Sequence, residues 1–110
     1  MKIDPGELRH RVAIQRKTVV RDTFGGETVS WTDVATAWMS LKPLSGRELY
    51  AAQQAHAETT HKAIMRYVAG ITPNDRLKYG ERIFDITSVL NHEEKSVYLI
   101  IEARENHELD

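Results

Sequence analysis

The sequence predicts a mainly β fold: a small antiparallel β-barrel or sandwich of about six to seven strands, with one helix inserted at about residues 46–56. Three observations carry this. Apolar and polar residues alternate over several short segments, the period of a half-buried strand. Glycine-bearing turns separate those segments at hairpin spacing. A single stretch, from Pro43 to His56, has helical composition.

Residues 1–8 read as a polar, flexible lead-in with a turn at Pro5-Gly6. Val12, Ile14, Thr18 and Val20 then fall on one face, with Arg11, Gln15, Lys17 and Arg21 on the other. Only Arg16 breaks the alternation, so a long half-buried strand is expected. Asp22-Thr23-Phe24-Gly25-Gly26 is a loop, because paired glycines reach positive φ without steric cost. A short strand around Thr28–Trp31 completes a hairpin over residues 11–31, and residues 34–42 form a further strand ended by Pro43.

In the helical stretch, Ser45 and Glu48 stand in the relation of a capping box, and Ala51, Ala52 and Ala55 supply helix propensity. Leu49, Ala52, Gln53 and His56 make only a weak apolar stripe, which predicts a surface helix over one end of the sheet. A strand of roughly ten residues, 59–68, follows, then a turn over residues 70–75. Arg76–Tyr79 and Arg82–Leu90 flank Gly80-Glu81 as a second hairpin. If Asp85 faces the interior it needs a cation, Arg66 or Arg82. A charged loop over residues 91–95 and a last strand over 96–103 lead to an acidic, frayed end, residues 105–110.

At 110 residues the chain is expected to be one domain with a single core. Hydrophobic residues are 41% and charged residues 28% of the total, as in ordinary globular proteins. No apolar run approaches the ~20 residues that cross a bilayer. Met1 to Glu7 lack the apolar centre of a signal peptide, so cytoplasmic synthesis is expected. Cysteine is absent, which excludes disulfides and thiolate metal sites.

The net charge of −1 hides an asymmetry. The first 21 residues sum to about +4, and those from Asn91 onward to about −4. Two arrangements accommodate this: pairing of the first and last strands within one sheet, or head-to-tail contact between copies. The first is favoured, since terminal strands often meet when a sheet closes.

Chemistry-bearing patterns are scarce. His56 and His61, two of the five histidines, lack zinc-ligand spacing, and His61 is expected to be structural, pointing in or out. His92 beside Glu93 and Glu94 reads as a solvated turn. No serine sits in a nucleophile elbow, and Gly25-Gly26 is not a phosphate loop. No catalytic residue, metal ligand or cofactor site is assigned. Trp31 and Trp38, expected on neighbouring strands, read either as a stacking platform for single-stranded nucleic acid or as a half-exposed and a core side chain. The second is favoured.

Several segments together resemble the head–tail joining (head-closure or stopper, head–tail adaptor) proteins of long-tailed bacteriophages. The carriers are Gly6-Glu7-Leu8-Arg9-His10-Arg11-Val12-Ala13-Ile14-Gln15, Trp31 after a glycine turn, and Trp38-Met39-Ser40-Leu41-Lys42-Pro43-Leu44-Ser45-Gly46-Arg47-Glu48. Thr60-His61, Met65-Arg66-Tyr67, Gly70-Ile71-Thr72-Pro73, Arg76, Arg82-Ile83-Phe84-Asp85-Ile86 and Val89-Leu90-Asn91 continue the pattern, over roughly residues 6–105.

The resemblance implies a non-enzymatic virion or prophage component without cofactors, a single head–tail joining domain over residues 1–110. It implies a homo-oligomeric ring beneath the portal or adaptor protein that closes the DNA channel and docks a tail-completion or tail-tube protein. Packaged double-stranded DNA would lie in the lumen without sequence-specific contact, and no membrane is involved. Assembly would take place in the bacterial host cytoplasm, and the product would be the virion head–tail connector. Contacts with neighbours are placed on Thr23, Phe24, Gly25 and Gly26 in the first hairpin loop and on Arg47, Tyr50, Gln53 and Gln54 on the helix. Phe24 would be buried either by a partner or by folding back onto its own sheet. The alternative function is an OB-like single-stranded nucleic-acid-binding module.

Overall fold

Strand β1 (His10–Arg21) turns sharply into β2 (Glu27–Pro43), which hands over to helix α1 (Gly46–Ala55). Then come β3 (His61–Arg66), β4 (Asp75–Tyr79), β5 (Arg82–Asn91) and β6 (Tyr98–Asn106). These elements come from a computed structural model that describes residues 3–107, so the expectations for residues 1, 2 and 108–110 lie outside the described residues. Two short 3₁₀ turns, Pro5–Glu7 and His92–Glu94, complete the described chain.

All pairings are antiparallel, and the sheet closes on itself in the order β1-β2-β3-β6-β5-β4 and back to β1. Of the two predicted architectures, the barrel is the one formed. Its inner face is lined by Val12, Ile14, Met39, Leu41, Ala63, Met65, Leu77, Phe84, Ile86, Leu99, Ile101 and Ala103. These alternate along each strand with outward residues, as one buried face requires. Val12, Ile14, Met39, Met65, Leu77, Phe84 and Ile101 are wholly buried.

Four expectations are corrected. First, β2 is one uninterrupted strand of 17 residues where two were expected. Between the two expected strands, the Asp33 carboxylate accepts from Gln15 Nε2 at 2.8 Å across the ladder. Second, β1 and β6 are not neighbours, so the basic start and the acidic end of the chain do not pair within the sheet. Third, β6 runs from Tyr98 to Asn106, and Glu105 and Asn106 lie within it. Fourth, β3 is shorter than the ten residues expected, because Thr59 and Thr60 serve as polar anchors ahead of it.

Strand β1 is half-buried only in its first half. The β1–β2 register shifts at Ile14/Gln15, with Val34 the extra residue on β2, and Arg16, the break seen in the alternation, pairs across to the buried Asp75 of β4. Beyond it, Thr18 and Val20 have no core to face. Strand β4 pairs with β1 only over Ala13–Arg16, and β3 pairs with β2 only over Met39–Pro43. The segments 17–21 and 27–31 therefore pair only with each other, as a two-stranded ribbon leaving the barrel. The molecule extends 52 × 26 × 26 Å in consequence.

Candidate partner interface

The ribbon ends in a turn built by one side chain. Asp22 Oδ1 accepts from the backbone N–H groups of Phe24 at 2.9 Å and Gly26 at 2.7 Å, an arrangement aspartate favours because its short carboxylate reaches two residues on. Gly25 adopts φ +83°, open to glycine and strained for other residues. With the turn held this way, Phe24 points away from the fold and is 96% exposed. It does not fold back onto its own sheet. Val19, Val20 and Val29 on the ribbon arms are also exposed. The structure thus gathers Thr23, Phe24, Gly25 and Gly26 at the tip of a projecting apolar arm.

Arg47, Tyr50, Gln53 and Gln54 lie on the exposed side of α1, apart from the ribbon tip. Only Ala52 of the helix is buried, so the element is attached lightly. The capping box does not form: Ser45 has the extended backbone of an N-cap, yet its side chain makes no capping bond. The Glu48 carboxylate faces Lys62 on β3 instead, at 3.7 Å. Gln53 is exposed but tied, its Nε2 donating to the carbonyl of Thr59 at 3.1 Å. Thr59 is itself wholly buried and bonded to Thr87 Oγ1 at 2.9 Å, which pins the helix exit to β5.

Trp31 is half-buried, as the favoured reading has it, but Trp38 is not a core side chain. Both stand on β2 rather than on neighbouring strands. Trp38 is 53% exposed on the outside of the barrel, because Met39 and Leu41 take the inward positions of the same strand. Each indole has a guanidinium over its face: Arg11 lies 5.4 Å from the Trp38 ring centre and Arg76 4.0 Å from that of Trp31. Faces covered in this way are not a free platform for bases.

The ionisable residues serve structural contacts. Asp85 pairs with Arg104 at 2.7 Å and accepts from Asn106 at 3.2 Å, not with Arg66 or Arg82. Arg82 instead clamps Glu105 through two hydrogen bonds at 2.8 and 3.1 Å, which holds that carboxyl below its usual range. His61 points inward, edge-on to Phe84 with ring centres 5.0 Å apart, and burial lowers its pKa despite Glu105 nearby. Among the described residues no three His, Asp or Glu side chains converge as a metal-ligand set, and no helix is long and apolar enough to cross a membrane.

A family model described as phage head completion protein matches residues 3–106. The chain belongs to that family. The family is one of structural phage head proteins rather than enzymes. Among solved structures, protein SF1141 from Shigella flexneri 2a superposes with a TM-score of 0.78 at 26% identity, covering 97% of this chain and 100% of that one. A chain of the virion of a native gene transfer agent particle superposes with a TM-score of 0.60 at 18% identity, covering 89% and 94% of the two chains. At that identity the likeness is one of fold. No curated protein matches the chain.

The loop and helix residues chosen from sequence are all on the surface. The sequence reading missed the length of the arm behind Phe24 and the outward position of Trp38. The parity of Met39 and Leu41 was the available signal for the second.

Proposed function

We propose that the chain, acting as a single head–tail joining domain, forms a homo-oligomeric ring beneath the portal or adaptor protein of a phage head. The ring closes the DNA channel after packaging and offers a docking surface to a tail-completion or tail-tube protein. It performs no catalysis. Double-stranded DNA passes through the lumen without sequence-specific contacts, and assembly takes place in the host cytoplasm before the protein becomes part of the virion.

The observation that carries the reading is the ribbon. A two-stranded arm with no core of its own is marginal in water, and it exposes Phe24 and three valines. Such an arm gains by burying its tip on a neighbour, and a rigid barrel with one projecting arm suits an assembly of repeated copies. The helix residues Arg47, Tyr50, Gln53 and Gln54 supply the second contact. The covered faces of Trp31 and Trp38, with a net charge of −1, make the OB-like nucleic-acid module the weaker reading.

Purified Phe24→Ala protein tests this with portal-bearing packaged heads. The variant should remain folded, since the side chain touches nothing in the monomer, while its retention on heads drops. Retention and stability both equal to the parent would remove the loop from the interface. Tight, steeply salt-dependent binding of single-stranded DNA by the monomer would favour the OB-like module instead.

A further inference from the structure

One wall of the barrel carries an apolar row on its outer side. Ile64 on β3 pairs with Ile100 on β6, and Ile100 with Leu90 on β5. Ile64 and Ile100 point outward, because Ala63, Met65, Leu99 and Ile101 take the inward positions of the same strands. Leu90 beside them is 56% exposed. Helix α1 stands over this row without covering it: of its residues only Ala52 is buried, and Ala51 and Ala55 remain exposed. The gap is a groove of about 440 Å³, floored by Leu90 and Ile100 and walled by Ala51, Ala52 and Ala55.

We infer that this groove is the socket for the Phe24 tip of a second copy's arm. The inference rests on the proposed assembly of copies into a ring and names the site by which one copy holds the next. Every copy carries both parts, and neither is matched within its own chain. Phe24 touches nothing in the monomer, and no residue of the arm lines the groove.

Topology and charge identify the occupant. In the closed order β1-β2-β3-β6-β5-β4, β1 stands across the barrel from β6 and β2 from β5. The arm continues β1 and β2, while the floor of the groove lies on β5 and β6, so the two occupy facing walls. The paired steps from Lys17–Trp31 to Arg21–Glu27 carry the tip about 17 Å past the barrel at ~3.3 Å per residue. A projecting knob on one wall and a socket on the other make a head-to-tail contact, which repeats around a ring. The groove rim has two carboxylates, Glu48 and Glu102, against one ammonium, Lys62, which lies 3.7 Å from Glu48. That rim repels phosphate and suits Arg21, three residues before Phe24, whose exposed guanidinium touches only Glu27, at 3.4 Å. An aliphatic floor within a charged rim is the usual build of a protein–protein contact.

Because the chain has no cysteine, thiols placed at will test the contact. A full chain carrying Thr23→Cys beside Phe24 and Ala51→Cys on the groove wall is treated with a short bis-maleimide, which does not demand disulfide geometry. The reaction is run in solution and on portal-bearing packaged heads. Denaturing gels should show a ladder of dimers and higher multimers. Thr23→Cys alone should give no dimers, and Thr23→Cys with Thr36→Cys on the β2 wall should give no ladder. Adding Phe24→Ala to the first chain should cut the ladder about tenfold, the loss of one buried aromatic anchor. Leu90→Glu should cut it comparably, and Arg21→Glu should weaken it. All these side chains are exposed, and thermal midpoints establish that the variants fold.

A ladder that survives Phe24→Ala and Leu90→Glu, or that Thr36→Cys matches, overturns the socket. So do tip-to-tip dimers from Thr23→Cys alone. A Leu90→Glu chain that keeps the ladder but no longer accepts tails would give the groove to a different protein. Head completion is scored separately by retention of the parent chain on packaged heads. Retention without a ladder removes the socket and leaves the ring beneath the portal. A ladder in solution without retention removes that ring and leaves the contact between copies.

Discussion

Arg16 and Asp75 meet where the ribbon leaves the barrel, with Arg16 Nε 3.0 Å from Asp75 Oδ1 and Nη2 3.1 Å from Oδ2. Asp75 is buried, and it also accepts from the backbone N–H of Thr72 at 3.1 Å. Arg16 Nη2 reaches the carbonyl of Gly70 at 2.8 Å as well. One arginine at the base of the arm thus holds the β3–β4 loop and the start of β4 against β1.

Asp75→Ala should be among the costlier single substitutions in this fold. It leaves the Thr72 N–H and the Arg16 guanidinium without their acceptor, and losing charged, buried hydrogen bonds costs about 2–3 kcal/mol. Urea denaturation should show a lower midpoint with an unchanged slope. Asp22→Ala at the exposed tip serves as the contrast, with little effect on the midpoint.

Stability should fall in two steps as pH drops. Burial lowers the His61 pKa, so its stabilising contribution is complete above the unfolded value of ~6.5 and declines as pH falls through the folded one. Burial alone would push the Asp75 carboxyl up, but the Arg16 and Thr72 hydrogen bonds hold it down, and the Arg82 hydrogen bond lowers Glu105. Those carboxylates stabilise above their unfolded values of ~4 and lose that contribution as pH falls further. Denaturation midpoints between pH ~8 and ~3 should decline gently below ~6.5 and steeply below ~4. His61→Gln should flatten the first step alone.

Hydrogen exchange should divide the β1–β2 hairpin into two zones. Backbone amides over Lys17–Arg21 and Glu27–Trp31 belong to a ladder with one partner and no core, so they open locally. Those of Ile14 and Met39 sit between two partner strands and should exchange only with global opening. Equal protection in both zones of the isolated protein would mean the arm has a partner already.

Local features of this fold were legible where local physics decides them. The Asp22–Gly26 turn, the Gly80-Glu81 hairpin and the inward Val12 and Ile14 follow from turn chemistry and alternation. Strand order was not legible. The meeting of β4 with β1 depends on long-range closure, and it left the expected pairing of first and last strands unformed. The ribbon was half legible: Arg16, the break in the alternation, marks the base of the arm through its pair with Asp75, but nothing in residues 17–21 says that the sheet ends beside them. At the interface, Phe24 stood out as an aromatic at a loop tip. Ser45 and Glu48 misled because Lys62, 14 residues beyond Glu48, draws the carboxylate away.

The four helix residues should separate into two kinds on substitution. Gln53 bonds the Thr59 carbonyl at 3.1 Å, and Thr59 bonds Thr87 across to β5, so Gln53→Ala loosens the tether of α1 as well as its surface. Its cost should be about 1 kcal/mol, the worth of one side-chain hydrogen bond, with faster exchange over the helix. Tyr50 is 70% exposed, and Tyr50→Ala should leave stability and helix exchange unchanged. Both variants should bind packaged heads less well if α1 is an interface, but only Gln53→Ala should do so with a loosened helix. Normal retention of Tyr50→Ala alongside weak retention of Gln53→Ala would assign α1 a purely supporting part and leave the Phe24 arm as the contact that matters.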